Sequence, residues 1–344
     1  MATQPNSEKP IKMLFIIGAP RSGTTMLERM LSAHSMIQGG AEPHLLTPLA
    51  YTGYWDKVDN APYDHILSSL AQRTFVEELP NGEQDYWKAC RAFCGVLYSS
   101  LVSTSGKSIC LDKTPAYALI LPFIKKVFPD AGYIVLTRHP LAIFSSFANS
   151  FFDGDYQLAQ DHEPLLNKYI PNMAAFLRDD TVSKFHVRYE GLVSNPESWM
   201  RDICKYLNIP FEPEMIEYGQ ANSKKRKGLG DPVGIHQHAR PSTTSIAKWI
   251  GDLTSDASKL ELMQSIIAQL DPQDLERLGY PVTELWQPYN QHAGQKISVK
   301  QPPLTTYRLQ RKLIVRLRSL VRRYNPLKRL TKTIKLTCDV LLRE

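Results

Sequence analysis

Residues 14–25 read LFIIGAPRSGTT. The apolar residues form the end of a buried strand, Lys12–Ile17, which runs into a glycine turn. Met26, Leu27, Met30 and Leu31 then recur at helical spacing over Thr24–Ser32. Strand, turn and helix N-terminus together make an anion site. The first-turn N–H groups are unpaired there, and the helix dipole adds partial positive charge. Gly18 to Gly23 keeps the G-x4-G spacing of an ATP/GTP loop, yet Thr24 stands where that loop has its lysine. Arg21 supplies the charge before Gly23 instead, and Ser22, Thr24 and Thr25 add hydroxyl donors.

The pattern repeats along the chain. Three further strands are expected at 108–111, 132–137 and 185–188, followed by DKTP, RHP and YE. Helices are expected at 63–78, 84–103, 116–127, 141–149, 196–207, 246–250 and 256–270. Residues 34–43 and 220–245 read as loops, and the stretches 45–78 and 151–180 carry no pattern that defines an acceptor pocket. Buried strands alternating with helices predict an α/β fold with a central parallel sheet flanked by helices, three layers in all. Ligands of such folds sit at the carboxyl ends of the strands, where each polar cluster falls.

Composition bounds the function. The 344 residues are 43% hydrophobic, as in an ordinary globular protein. The first ten residues are polar and no run reaches a membrane span, so neither signal peptide nor membrane helix is expected. Cys90, Cys94, Cys110, Cys204 and Cys338 show no CxxC spacing and read as reduced thiols of a cytoplasmic protein. No His/Cys/Asp/Glu cluster has metal-ligand spacing, and no metal is expected. The net charge of +7 is uneven: residues 304–344 hold 12 of the 41 Lys/Arg and 2 of the 34 Asp/Glu, leaving 29 basic and 32 acidic residues elsewhere. The organisation expected is a polar tail (1–10), one domain (11–290), a linker (291–303) and a basic tail (304–344). In that tail Leu309, Leu313, Leu317, Leu320, Val321 and Tyr324 mark one helical face. It suits packing on the body, an anionic membrane surface or a protein partner, and makes nucleic acid a minor alternative.

APRSGTT resembles the 5′-phosphosulfate loop of the sulfotransferases that use 3′-phosphoadenosine 5′-phosphosulfate (PAPS). The resemblance runs over residues 12–290 and implies a P-loop-like fold. The family's second signature, an arginine ending a strand with a serine eight residues on, falls on Arg138 and Ser146 and implies a 3′-phosphate site. LDKTPAYAL resembles the lysine-bearing loop, with Lys113 as the matching residue, and VRYEGLVSNPE places Tyr189 toward the adenosine end. KKRKGLGD resembles the family's RKG-x-x-GD loop, which reaches the 3′-phosphate and adenine, with Arg226, Lys227 and Gly228 as the matching residues, but is one residue short between Gly228 and Gly230. SIAKW resembles a Lys-Trp pair of the tyrosylprotein branch and brings Lys248 to the donor.

For the chemistry, the resemblance implies in-line transfer to an acceptor hydroxyl, with Arg21 and Lys113 beside the leaving oxygen. Glu42, 21 residues after Arg21, matches the catalytic base of the tyrosylprotein branch. Where that branch has an arginine two residues later this chain has His44, a competing base; His139 is a weaker one. That departure favours a small-molecule or lipid acceptor over protein tyrosine. A nucleotide kinase or NTPase, or a non-catalytic nucleotide- or membrane-binding module, stands as the alternative of another class.

Overall fold

The computed structural model describes residues 11–40, 42–50, 65–221 and 239–292, with isolated positions between 324 and 334. Arg226, Lys227 and Gly228, and nearly all of the basic tail, lie outside the described residues.

Five parallel strands form one sheet in the order β2-β3-β1-β4-β5. They are β1 (Lys12–Ile17), β2 (Ile37–Gln38), β3 (Ile109–Asp112), β4 (Gly132–Thr137) and β5 (Lys184–Arg188). β1 is central, pairing Leu14 with Leu111 of β3 and with Gly132 of β4. The chain crosses β1 between β3 and β4, so the switch point of the sheet lies at the end of β1, where the glycine turn begins.

Alternation along β1 divides the core. Met13, Phe15 and Ile17 join one apolar cluster, and Leu14 and Ile16 join the other. The first cluster is covered by helices Glu83–Ser103, Leu121–Val127, Pro140–Phe151 and Leu165–Arg178; the second by Thr24–Ser32 and Pro196–Leu207. With both faces buried, the strands need no polar side, which is why they read as apolar runs. This is the three-layer, P-loop-like arrangement expected.

Some elements differ from expectation. β2 lies within the expected loop at 34–43. The stretch 116–127 is not one helix: a 3-10 turn, Pro115–Leu119, breaks at Ile120 before Leu121–Val127 begins with Pro122 in its first turn. Two helices, Tyr156–His162 and Leu165–Arg178, lie within the stretch 151–180, where the sequence shows no acceptor-pocket pattern. Cys90, Cys94, Cys110 and Cys204 are free and buried. Among the described residues no helix is long and apolar enough to cross a membrane.

Candidate functional site

The turn after β1 is shaped by two glycines. Gly23 has φ +99°, and a Cβ there would come within 2.6 Å of the Tyr189 ring. At Gly18 an added Cβ would meet Thr24 Cγ2 at 2.6 Å and the Leu136 carbonyl at 3.0 Å. Ser22 is fully buried and its hydroxyl donates to the Ala19 carbonyl (2.7 Å), while Thr24 is buried against Gly18. Both side chains therefore brace the turn from within, and Arg21, Gly23 and Thr25 face the cavity above it.

That cavity measures about 340 Å³ and lies over the carboxyl ends of β1, β4 and β5. Arg21, Arg29, Arg138, Arg240 and Lys248 contribute to its wall, and among the described residues no aspartate or glutamate does. Its charge is that of an anion site of more than one phosphate's capacity. Arg138 is 8% exposed and stacks over the Tyr189 ring at 4.3 Å. It donates to the Arg21 carbonyl (2.9 Å) and the Ser245 carbonyl (2.7 Å), while its buried Nε has no hydrogen-bond partner among the described residues. Burial lowers its pKa, with Tyr189 and Glu190 opposing. Arg21, itself in the left-handed region (φ 69°), donates from Nε to Ser146 Oγ at 3.2 Å. Arg21, Arg138, Ser146, Tyr189 and Lys248 thus meet in one wall.

The Pro140–Phe151 helix that carries Ser146 is anchored from behind. Buried Asp252 accepts from Ser145 Oγ and from Asn149 Nδ2 (2.6 Å). The far rim holds groups with no signature in the sequence. Arg29 lies over the Tyr218 ring at 4.6 Å, and Arg240 pairs with Glu217 at 2.8 Å. Arg29 sits on the Thr24–Ser32 helix after the glycine turn, and its position there was the only available signal.

Lys113 and Glu42 form a second cluster beside the turn, at the end of β3. Lys113 is buried and its Nζ bonds Glu42 Oε1 at 2.5 Å and Thr25 Oγ1 at 3.3 Å. His44 Nε2 lies 3.6 Å from Glu42 Oε2, with its side chain 38% exposed. The loop reaches this place by passing tightly over the first helix. A Cβ on Gly39 would lie 2.1 Å from Ser32 Oγ, which donates to Glu28. His139 belongs to neither cluster. It stacks on Trp249 (4.7 Å), its Nε2 bonds the Leu285 carbonyl, and burial holds its pKa down at about 4. Its ring is packed in the core, and it is not among the residues that line the cation-rich cavity. Among the described residues no group of three or more His, Cys, Asp or Glu is placed to hold a metal ion.

The chain matches the Sulfotransferase family over residues 13–213. Protein-tyrosine sulfotransferase 1 of Danio rerio is 25% identical over 287 residues, covering 79% of this chain and 73% of that protein. Nodulation protein NoeE of Sinorhizobium fredii is 34% identical over 137 residues, 40% of this chain and 31% of that protein. Among solved structures, the sulfotransferase domain from the Synechococcus PCC 7002 olefin synthase aligns with TM-score 0.49 and 25% identity, covering 79% of this chain and 100% of that one.

Proposed function

Because the chain belongs to the sulfotransferase family, we propose that its cation-lined cavity binds PAPS and that Lys113 and Glu42 serve transfer to an acceptor hydroxyl. The observation that carries this reading is the Arg138 guanidinium. It is buried, aligned by Arg21, Ser245 and Tyr189, and its Nε is unpartnered among the described residues. PAPS supplies the sulfuryl group when bound, and adenosine 3′,5′-bisphosphate remains.

The roles follow from position and, for Arg226, Lys227 and Gly228, from the resemblance of KKRKGLGD to the family's loop alone. Arg138 and Ser146 hold the 3′-phosphate, with Lys248, Arg226, Lys227 and Gly228 assisting and Tyr189 flanking the adenosine. Gly23, Thr25 and the first-turn N–H groups hold the 5′-phosphate, the turn being braced by Ser22 and Thr24. Arg21 and Lys113 stabilise negative charge at the bridging oxygen. Glu42 takes the acceptor's proton, and His44, in contact with it, is the alternative base.

The acceptor in this reading is a small-molecule or lipid hydroxyl. It is supported by His44, which stands where the tyrosylprotein branch has arginine. Peptide tyrosine is the second reading, supported by relatives of that name, such as the Mus musculus protein at 26% identity over 79% of this chain. The free thiols support a cytoplasmic enzyme. The charge and apolar periodicity of residues 304–344 support contact with an anionic membrane surface or a protein partner. The test is a screen for labelled sulfuryl transfer from PAPS to phenols, alkyl alcohols, hydroxylated lipids and acidic tyrosine peptides. Turnover confined to the peptides overturns the first acceptor reading, and no transfer from PAPS to any acceptor or to water overturns both.

A further inference from the structure

Asp112 ends β3, directly before Lys113, and is 1% exposed. A carboxylate in such a place is costly unless hydrogen bonds satisfy it. Three hydroxyls do so here: Tyr98 at 2.5 Å, Tyr117 at 3.0 Å and Thr114 at 3.3 Å. Tyr117, itself fully buried, has a second contact, because its oxygen accepts the Leu46 backbone N–H at 3.1 Å. A phenol has one proton to give. The carboxylate takes it, and this turns the oxygen's lone pair toward Leu46. Leu46 opens the short Leu46–Ala50 helix and follows the loop that bears Glu42 and His44. Among the described residues Tyr98 makes no hydrogen bond to that loop; its ring packs on Phe128 in the core.

We propose that Asp112 is a positioning residue for transfer, holding the 42–46 loop through Tyr117 while fixing Lys113 by direct succession in the chain. The proposal rests on the reading of Glu42 and Lys113 given above. The two partners of that ion pair sit on different segments, the β3 end and the loop. Asp112 and Tyr117 are the hydrogen-bonded tie between those segments beneath the pair, so the tie sets whether Glu42 meets Lys113 at bonding distance. Misplacement by about 1 Å is enough to lose on the order of a hundredfold in rate. Burial pushes the Asp112 carboxyl up to about 6, with the three hydroxyls and Lys113 opposing, so the carboxylate that orients the chain is present at neutral pH.

The test compares Tyr117→Phe with Tyr98→Phe. Each deletes one buried hydroxyl from the same carboxylate, but only the first reaches the loop. Turnover is measured with labelled PAPS and 4-methylumbelliferone, or as labelled sulfate released to water where that phenol is not used. Bisphosphate affinity and hydrogen exchange of the 42–50 backbone are measured alongside. Tyr117→Phe is expected to lower kcat at least tenfold, speed exchange over 42–50, and leave bisphosphate affinity within twofold. Tyr98→Phe is expected to stay within threefold in all three. Equal losses in the two variants, or full turnover in Tyr117→Phe, overturn the positioning role. Should Tyr117→Phe fail to fold, Asp112→Asn is read by the same three measures, with the same outcomes expected. Glu42→Gln with wild-type turnover would instead overturn the reading of the site itself, whatever the tyrosines do.

Discussion

Replacing Gly23 by alanine tests how the turn after β1 supports the anion cavity. Two effects combine. At φ +99° a residue with a Cβ is strained by about 1–3 kcal/mol. The new Cβ would also lie 2.6 and 2.8 Å from two carbons of the Tyr189 ring, which must retreat by roughly 1 Å to regain van der Waals contact. Tyr189 is the platform under Arg138, whose guanidinium stands 4.3 Å above it. Moving that platform misaligns the fork that faces the ligand. Losing one charged hydrogen bond is worth about 1.5–3 kcal/mol, or roughly ten- to hundredfold in affinity. The expected result is a midpoint lowered by a few degrees together with at least tenfold weaker binding of adenosine 3′,5′-bisphosphate by titration calorimetry. Gly95→Ala, in the Glu83–Ser103 helix with open space around it, is the control and leaves binding unchanged. A Gly23→Ala protein that binds the bisphosphate within threefold of wild type would refute the coupling of turn, ring and arginine.

Arg138→Lys keeps the charge but cannot span the Arg21 and Ser245 carbonyls; bisphosphate binding should weaken about ten- to hundredfold, measured by the same titration. If Glu42 is the base, Glu42→Gln lowers kcat about a hundredfold or more while His44→Ala costs less than tenfold; steady-state kinetics on both variants decide between them. Stability should fall with acid. His139 is buried and His186 half-buried, and both have pKa values held down at about 4, against an ordinary value near 6.5. Between those values the unfolded chain binds protons that the native chain does not, so their stabilisation is complete above pH 6.5 and is lost toward pH 4. Asp112, raised to about 6, acts in the opposite sense and gains stability as pH falls through that value. Urea titrations from pH 7 to pH 4 should therefore show a net decline that steepens in Asp112→Asn.

Where local pattern and tertiary burial agree, the chain was readable in advance. Thr24–Ser32 and Pro196–Leu207 carry clear apolar stripes, and both helices have the expected bounds. Arg138 and Ser146 were legible only through the family's Arg-x7-Ser signature, whose spacing corresponds to a strand end followed by two helical turns. β2 could not, since two residues hold no period and its pairing with β3 is wholly tertiary. The Leu165–Arg178 helix was hidden by Pro171, a residue that argues against a helix interior unless packing outweighs it; Leu166, Ile170, Met173 and Leu177 provide that packing. Arg29, Tyr218 and Arg240 come from three distant segments, and only folding brings them to one rim. The hydroxyl chain from Asp112 through Tyr117 to Leu46 is of the same kind, because its members share no spacing rule.

The central claim is that the cavity is built for a nucleotide bearing a 3′-phosphate. Its most direct test is titration calorimetry of the full chain with adenosine 3′,5′-bisphosphate and, separately, with ATP. The account predicts saturable bisphosphate binding at least a hundredfold tighter than ATP, lost in Arg138→Lys. Equal or tighter binding of ATP, with no heat from the bisphosphate, would contradict it.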